Sequence, residues 1–489
     1  MPANPPPISF VQRVSAATAP DRDRFIDAVR AGSLLIVVLG HWLMATVVVQ
    51  DDHIAGANAL TSIPALQLAT WLFQVMALFF IAGGFSNITV WRSLRRRGAG
   101  YSEYLQGRLV RLLRPTLVFV VFWHLALPAA ATLGMSQDRV DVIGLLLGQP
   151  LWFLGIYVAA TALAPAMASW HAVSPRIALT TLVTGTAVVD WARLGLGMES
   201  VGYLNLAIVW LFAQQLGFLY ADGSLTRLSR AALWATLSGA FAVLVGLTTW
   251  GPYPVSMVGM PGEMSNMTPP TLCLLVLAIA QMAMAMLARD RVSQWLERPV
   301  PWAAVVRFGS ITMTVYLWHL SVLVLAFLAL FGLGIDPPVA GSGLWWLTRP
   351  LWLLGLLLVL FVIATLLAPL ERGRTTTGGH CRPAIGPARQ AVPPARQGIS
   401  AADDDNHHPG DDCLRGRSHP DLLRAAGVFC ERSPACTSRQ HHVALRAGRP
   451  RPEHRLGARG TCPVQPRDAA VPKPTVTLSR RGSPGDQPG

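Results

Sequence analysis

Two residues in one apolar segment have the types and spacing to do chemistry together. The segment "DRDRFIDAVRAGSLLIVVLGHWLMATVVV" (21–49) opens on charge and then carries one histidine, His41, eleven positions after Arg30. On an α-helix, eleven steps of ~100° end about 20° beyond three whole turns. The two side chains therefore share a face, about 16 Å apart along the axis. Asp27 lies one turn before Arg30 and can pair with it. An imidazole titrates close to neutral pH, which suits a general base or a nucleophile. An arginine at the lip of the same face suits an anion clamp. The plainer reading of His41 is a packing histidine, hydrogen-bonded to a neighbouring helix. Both readings stand at this point.

Other chemistry-bearing residues are less clearly paired. His319 lies in "YLWH", about fourteen residues into a later apolar run, where packing and catalysis are both open. His124 sits in an apolar run with no motif around it and reads as packing. His53 and His171 read as solvated loop residues. Arg108, Arg111 and Arg114 follow each other at i, i+3 and i+6, roughly along one side of a helix.

The elements that must position these residues follow from composition. Of 489 residues, 52% are hydrophobic and only 13% charged. Mean hydropathy is +0.42. Soluble domains carry about 25% charged residues. A disordered chain, a disulfide scaffold and an ordinary cytosolic enzyme are excluded, and an all-α polytopic membrane protein remains. Ten apolar runs are expected to cross a bilayer, at about 28–50, 63–90, 115–135, 150–169, 176–194, 201–221, 230–250, 269–288, 305–334 and 344–369. The run 176–194 is the weakest, because Asp190 and Arg193 lie near its end. The first run is too long for a cleaved signal peptide and is read as a retained helix.

Arginine placement sets the orientation. The loops after the even-numbered spans, with adjacent helix ends, hold fourteen arginines, and the opposite loops hold only Arg139, Arg193 and Arg349. Both termini are therefore expected in the cytoplasm. The net charge of +14 also divides unevenly: residues 1–371 contribute +5 and residues 372–489 contribute +9. No folded basic face is visible, so nucleic acid is not an expected partner. The expected organisation is a cytoplasmic segment 1–27, a transmembrane domain 28–371 and a basic tail 372–489. The tail has little apolar periodicity and reads as disordered, or as the product of another reading frame. Five of the six cysteines lie in it, no pair has CxxC spacing, and no metal site is expected.

"DAVRAGSLLIVVLGHW" resembles the first helix of the acyltransferase-3 family, whose signature is an Arg and a His at this separation; Arg30 and His41 match it. "LFFIAGGF" (78–85) resembles the family's second-helix stretch, with Gly83 where serine is usual. "RLVRLLRP" (108–115) resembles its cytoplasmic Arg-x-x-Arg segment. "PLWFLGIYV" (150–158) and "TVYLWHLSV" (314–322) resemble later stretches in the expected order. The likeness covers roughly residues 20–370 and none of the tail.

The resemblance implies an integral O-acyltransferase of the plasma or inner membrane. Acyl-CoA, in the first instance acetyl-CoA, would be the donor substrate, and no cofactor would be permanently bound. The acceptor would be a hydroxyl on a glycan, a lipid-linked sugar or a small metabolite. On this reading His41 is the base or a transient acyl carrier, and His319 is a second catalytic candidate. Arg30 stabilises an oxyanion or binds phosphate, and Arg108, Arg111 and Arg114 hold the CoA phosphates. Trp152 and the outer loop 251–270, through Glu263 and Asn266, would meet the acceptor. Gly83 and Gly84 would let the second span approach the first around His41. The rival class is a transporter or flippase, which ten spans with buried ionisable groups also suit. It would more often show an internal repeat, and none is evident between the two halves.

Overall fold

A computed structural model describes residues 9–50, 53–260 and 262–371. They all fall in the unit Met1–Ala384. The expectations for the tail and for the His53 side chain lie outside the described residues. In chain order the elements are α1 (Phe10–Ala17), α2 (Arg24–Met44), β1 (Ala45–Gln50), β2 (His53–Asn58), α3 (Ala59–Ser62), α4 (Ala65–Phe73), α5 (Met76–Arg96), α6 (Tyr101–Thr132), α7 (Gln137–Val173), α8 (Pro175–Gly195), α9 (Asn205–Ala221), α10 (Arg230–Thr249), α11 (Leu272–Glu297), α12 (Pro299–Gly309), α13 (Thr312–Gly332) and α14 (Gly343–Glu371). Ten stretches are long and apolar enough to cross a bilayer, with α4 and α5 counting together as one.

Several boundaries differ from the sequence expectation, each for a physical reason. The first span stops at Met44 rather than at 50. Ala45–Gln50, with three consecutive valines, pairs antiparallel with His53–Asn58 as a hairpin; β-branched residues favour that extended state. The second span is two helices with a break at Gln74 and Val75. Gln281 of α11 covers the break, its Nε2 donating to Gln74 O at 2.7 Å and to Trp71 O at 3.4 Å. Non-helical backbone at this depth needs such partners. The third and fourth spans begin earlier than expected, at Tyr101 and Gln137, as continuous helices. The ninth run divides into α12 and α13.

Helices α9, α11 and α13 form the interior, each with more than half of its most apolar window buried. Helices α6, α10 and α14 turn most of theirs outward, for example Leu117 and Leu125 of α6 and Leu347, Leu351 and Leu358 of α14. That is the arrangement a hydrocarbon solvent favours. Helices α5 and α9 touch backbone to backbone. A Cβ on Gly84 would run into Gln214 O, and one on Gly217 would run into Ile81 O. Small residues at such crossings let helices approach closely. Gly83 faces the Tyr157 ring of α7. These two glycines therefore accommodate α7 and α9, not α2 as the sequence reading had it.

Asp190, the residue that weakened the fifth span, accepts from Asn205 Nδ2 at 2.8 Å, Tyr253 OH at 2.9 Å and Leu272 N at 2.7 Å. A buried carboxylate satisfied by three donors can sit within an apolar helix. The same bonds pin the long loop between α10 and α11. Burial and the neighbouring Asp190 hold the Tyr253 phenol above its ordinary range.

Candidate active site

His41 occupies the last turn of α2, where its Nδ1 lies 2.9 Å from Val37 O. His319 lies eight residues into α13 and is wholly buried. Its Nδ1 is 2.6 Å from Tyr316 O, and its Nε2 is 3.3 Å from His41 Nδ1. A carbonyl only accepts, so each Nδ1 carries a hydrogen. The lone pair on His319 Nε2 then faces the His41 Nδ1–H, which is shared with Val37 O. That leaves His41 Nε2 as the basic nitrogen, with no hydrogen-bond partner among the described residues. Two bonds hold the pair in place: Trp42 Nε1 donates to His319 O at 2.9 Å, joining α2 to α13, and Tyr316 OH donates to Pro150 O at 2.8 Å, joining α13 to α7.

Both histidines line a cavity of about 790 Å³. Its walls come from the end of α2, the hairpin, the α4–α5 break, the first half of α7, the loop before α11, and α13. Most of the lining is aliphatic or aromatic. Gln74, Gln149 and Arg139 supply polar groups besides the histidines, and Trp152 is a wall residue. Size and lining suit an organic substrate oriented by a few polar contacts.

A second cluster lies toward the N-terminal end of α2. Arg30 donates to Asp27 Oδ1 at 2.9 Å, and Arg22 donates to Asp27 Oδ2 at 2.7 Å. Arg108 donates to the backbone carbonyl of Ser86 and, at 3.0 Å, to its hydroxyl. The charges of Arg30 and Arg111 and the phenols of Tyr104 and Tyr157 all act on Arg108. Arg108 Nε is buried without an acceptor among the described residues. Arg111 and Arg114 are exposed on α6. None of these arginines lines the cavity. Aromatic rings reach from the cavity wall to Tyr157, which acts on Arg108. Phe153 lines the cavity, and its ring stacks on Tyr157 one turn later, with centroids 6.3 Å apart. Phe79 packs edge-on against both.

Four residues sit in surroundings that their sequence context does not show. Glu263 is exposed and away from the cavity lining. Asn266 is wholly buried: its amide donates to Pro254 O and Ser256 O, and its carbonyl accepts from Thr271 Oγ1. It is a loop staple, and its neighbours Met267, Thr268 and Val258–Met260 line the cavity instead. His124 is exposed on α6 rather than packed. His171 is buried, not solvated. Its Nδ1 lies 2.7 Å from Gln215 Oε1 and its Nε2 lies 2.8 Å from Asp222 Oδ2, while Arg92 holds the other Asp222 oxygen at 2.6 Å. Burial alone would raise the Asp222 carboxyl, but the hydrogen bonds from Arg92 and His171 outweigh it and hold the group below its ordinary value. Sequence reasoning also passed over Arg139, Gln149 and Tyr316. Only the proximity of Tyr316 to His319 within one motif could have flagged any of them.

The histidine on the first span, the arginine cluster behind it and the ten spans agree with the match of an acyltransferase domain model, Acyl_transf_3, to residues 23–375. The chain belongs to the acyltransferase-3 family. No curated protein and no solved structure matches it. The acyltransferase-3 domain begins at Asp23, the N-cap of α2, and runs past the end of α14, so all ten spans fall inside it. The chain is a multi-pass membrane acyltransferase.

Proposed function

We propose that this acyltransferase moves an acyl group, in the first instance acetyl, from acyl-CoA to an acceptor hydroxyl in the cavity, with His41 Nε2 as general base. The acceptor is a glycan, a lipid-linked sugar or a small metabolite. The enzyme works in the plasma or inner membrane with its arginine-rich end in the cytoplasm. The observation that carries this reading is the His41–His319 pair at the cavity wall, which leaves one imidazole nitrogen free and basic.

The steps use this chain's own groups. Arg30, Arg108 and Arg111 offer clustered positive charge to the CoA phosphates; guanidinium forks suit phosphate oxygens. The ~16 Å between Arg30 and His41 along α2 favours phosphate binding by Arg30 over contact with the reacting carbonyl. At the cavity wall His41 Nε2 takes the acceptor O–H proton as the oxygen attacks the thioester carbonyl carbon. The tetrahedral intermediate expels the CoA sulfur, and the imidazolium returns its proton to that sulfur. Val37 O fixes the tautomer that presents Nε2, and His319 Nε2, accepting from the same Nδ1–H, orients the ring and stabilises the imidazolium, a positioning role of the kind a hydrogen-bonded partner plays in a triad.

The test is release or transfer of label from labelled acetyl-CoA by the purified full chain. His41→Ala is expected to lower kcat by ~10²- to 10⁴-fold, the range of general-base catalysis. Unchanged turnover in a well-folded His41→Ala variant would overturn the assignment.

A further inference from the structure

Near the start of α14, Trp345, Arg349 and Trp352 follow at intervals of four and three, so they form one stripe of the helix. The guanidinium carbon of Arg349 lies 4.6 Å from the centre of the Trp345 ring and 5.7 Å from that of Trp352. Arg349 is only 8% exposed. Its one hydrogen bond among the described residues is a long one, 3.4 Å from Nε to Trp345 O in its own helix. Nη1 of Arg349 and the indole Nε1 of both tryptophans are buried with no acceptor among the described residues. No acidic side chain among the described residues acts on Arg349.

A full positive charge with three unmet donors is costly in apolar surroundings. The two rings offset part of the charge but do not supply the oxygen acceptors that the donors lack. An anion with several oxygens offers the acceptors that such donors lack. Position narrows the class further. Helix α13 runs along the cavity from His319 to Phe331, and α14 follows a short connection at that end. The Trp352 ring lies 5.4 Å from that of Phe327, itself a cavity wall residue. The rest of that wall is hydrocarbon, including Leu323, Val324 and Leu328. A cluster of buried donors one ring behind an aliphatic wall fits an amphiphile better than a free ion.

We propose that Arg349, Trp345 and Trp352 bind the phosphate of a lipid whose chain lies along α13 and α14, and that this lipid carries the acceptor hydroxyl. The second half of that statement rests on the acyltransferase reading; the binding half does not.

The experiment measures binding to the full chain in zwitterionic nanodiscs with no donor present. The probes are a long-chain prenyl phosphate, the same prenol without phosphate, phosphatidylglycerol and inorganic phosphate. Prenyl phosphate is expected to bind at least tenfold more tightly than the prenol, and Arg349→Gln is expected to remove that margin. Arg349→Lys should keep most of the margin, and Trp352→Phe, which keeps a ring but loses the N–H, should weaken it severalfold. Trp352→Phe also gives a readout if Arg349→Gln fails to fold. An unchanged margin in folded Arg349→Gln, or in Trp352→Phe, overturns the site. Displacement of the lipid by an equal concentration of inorganic phosphate overturns its lipid character. Equal affinity for phosphatidylglycerol, with no acetyl transfer to its glycerol hydroxyls once acetyl-CoA is added, overturns the acceptor assignment and marks a structural lipid. Adding acetyl-CoA with a sugar joined to the prenyl phosphate separates the two readings: a chain that binds this lipid through Arg349 but acetylates none of its sugar hydroxyls keeps the site and loses the acceptor assignment.

Discussion

Replacing His319 by glutamine and by leucine separates positioning from bulk at the residue scale. A glutamine can offer Oε1 to the His41 Nδ1–H, whereas leucine cannot. Leucine is expected to lower kcat by at least about tenfold through loss of the acceptor that orients the ring and stabilises the imidazolium, with glutamine retaining more activity and neither variant moving KM for acyl-CoA. The arginine cluster predicts the opposite pattern. The double variant Arg108→Ala, Arg111→Ala should raise KM for acyl-CoA about tenfold or more, as loss of charge-assisted phosphate contacts implies, and added salt should narrow the difference. Equal CoA affinity with and without these arginines would remove them from the donor site. The Arg30–His41 spacing was legible in the sequence because one helix carries both. The pairing of His41 with His319 was not, because it depends on how α2 packs on α13, 278 positions away. The burial of Asn266 was not legible, because it depends on its amide being consumed by backbone carbonyls within its own loop.

At the scale of elements, the crossing of α5 and α9 and the break between α4 and α5 carry the clearest energetic consequences. Gly217→Ala would drive a methyl group into the Ile81 carbonyl and is expected to cost about 1–3 kcal/mol or more, as overpacking does, visible as a lower melting temperature in detergent. Gln281→Leu would strip the donor from two carbonyls at the break, costing about 1–3 kcal/mol. It should also lower activity, because Gln74 at the break lines the cavity. The ten apolar runs were legible because a bilayer demands a length and a composition. The hairpin after Met44 was not, because a short apolar run reads alike as the end of a helix or as a strand. The break at Gln74 was equally hidden, since its compensating donor lies some two hundred residues away on α11.

At the scale of the whole molecule, the clasp of Arg92, His171 and Asp222 ties α5 and α7 to the end of α9. The Asp222 carboxyl titrates below its ordinary value, so its contribution to stability is full above about pH 4 and is lost as pH falls through the depressed value. Asp222→Asn should therefore lower thermal stability at neutral pH, and the gap from the parent chain should close as the pH drops below about 4. All the site residues precede the end of the matched domain at residue 375. A chain ending at Ala384 is expected to keep its acyl-transfer rate, and a folded but inactive truncation would show that the remainder takes part. The rings of Phe79, Phe153 and Tyr157 form an aromatic layer that reaches from the cavity wall toward Arg108. On the proposed mechanism this layer decides fidelity, because a thioester reaching His41 can be captured by the acceptor or lost to water. Thinning the layer by Tyr157→Ala should then leave donor consumption high while the yield of acylated acceptor per thioester cleaved falls. Transfer would be uncoupled rather than slowed.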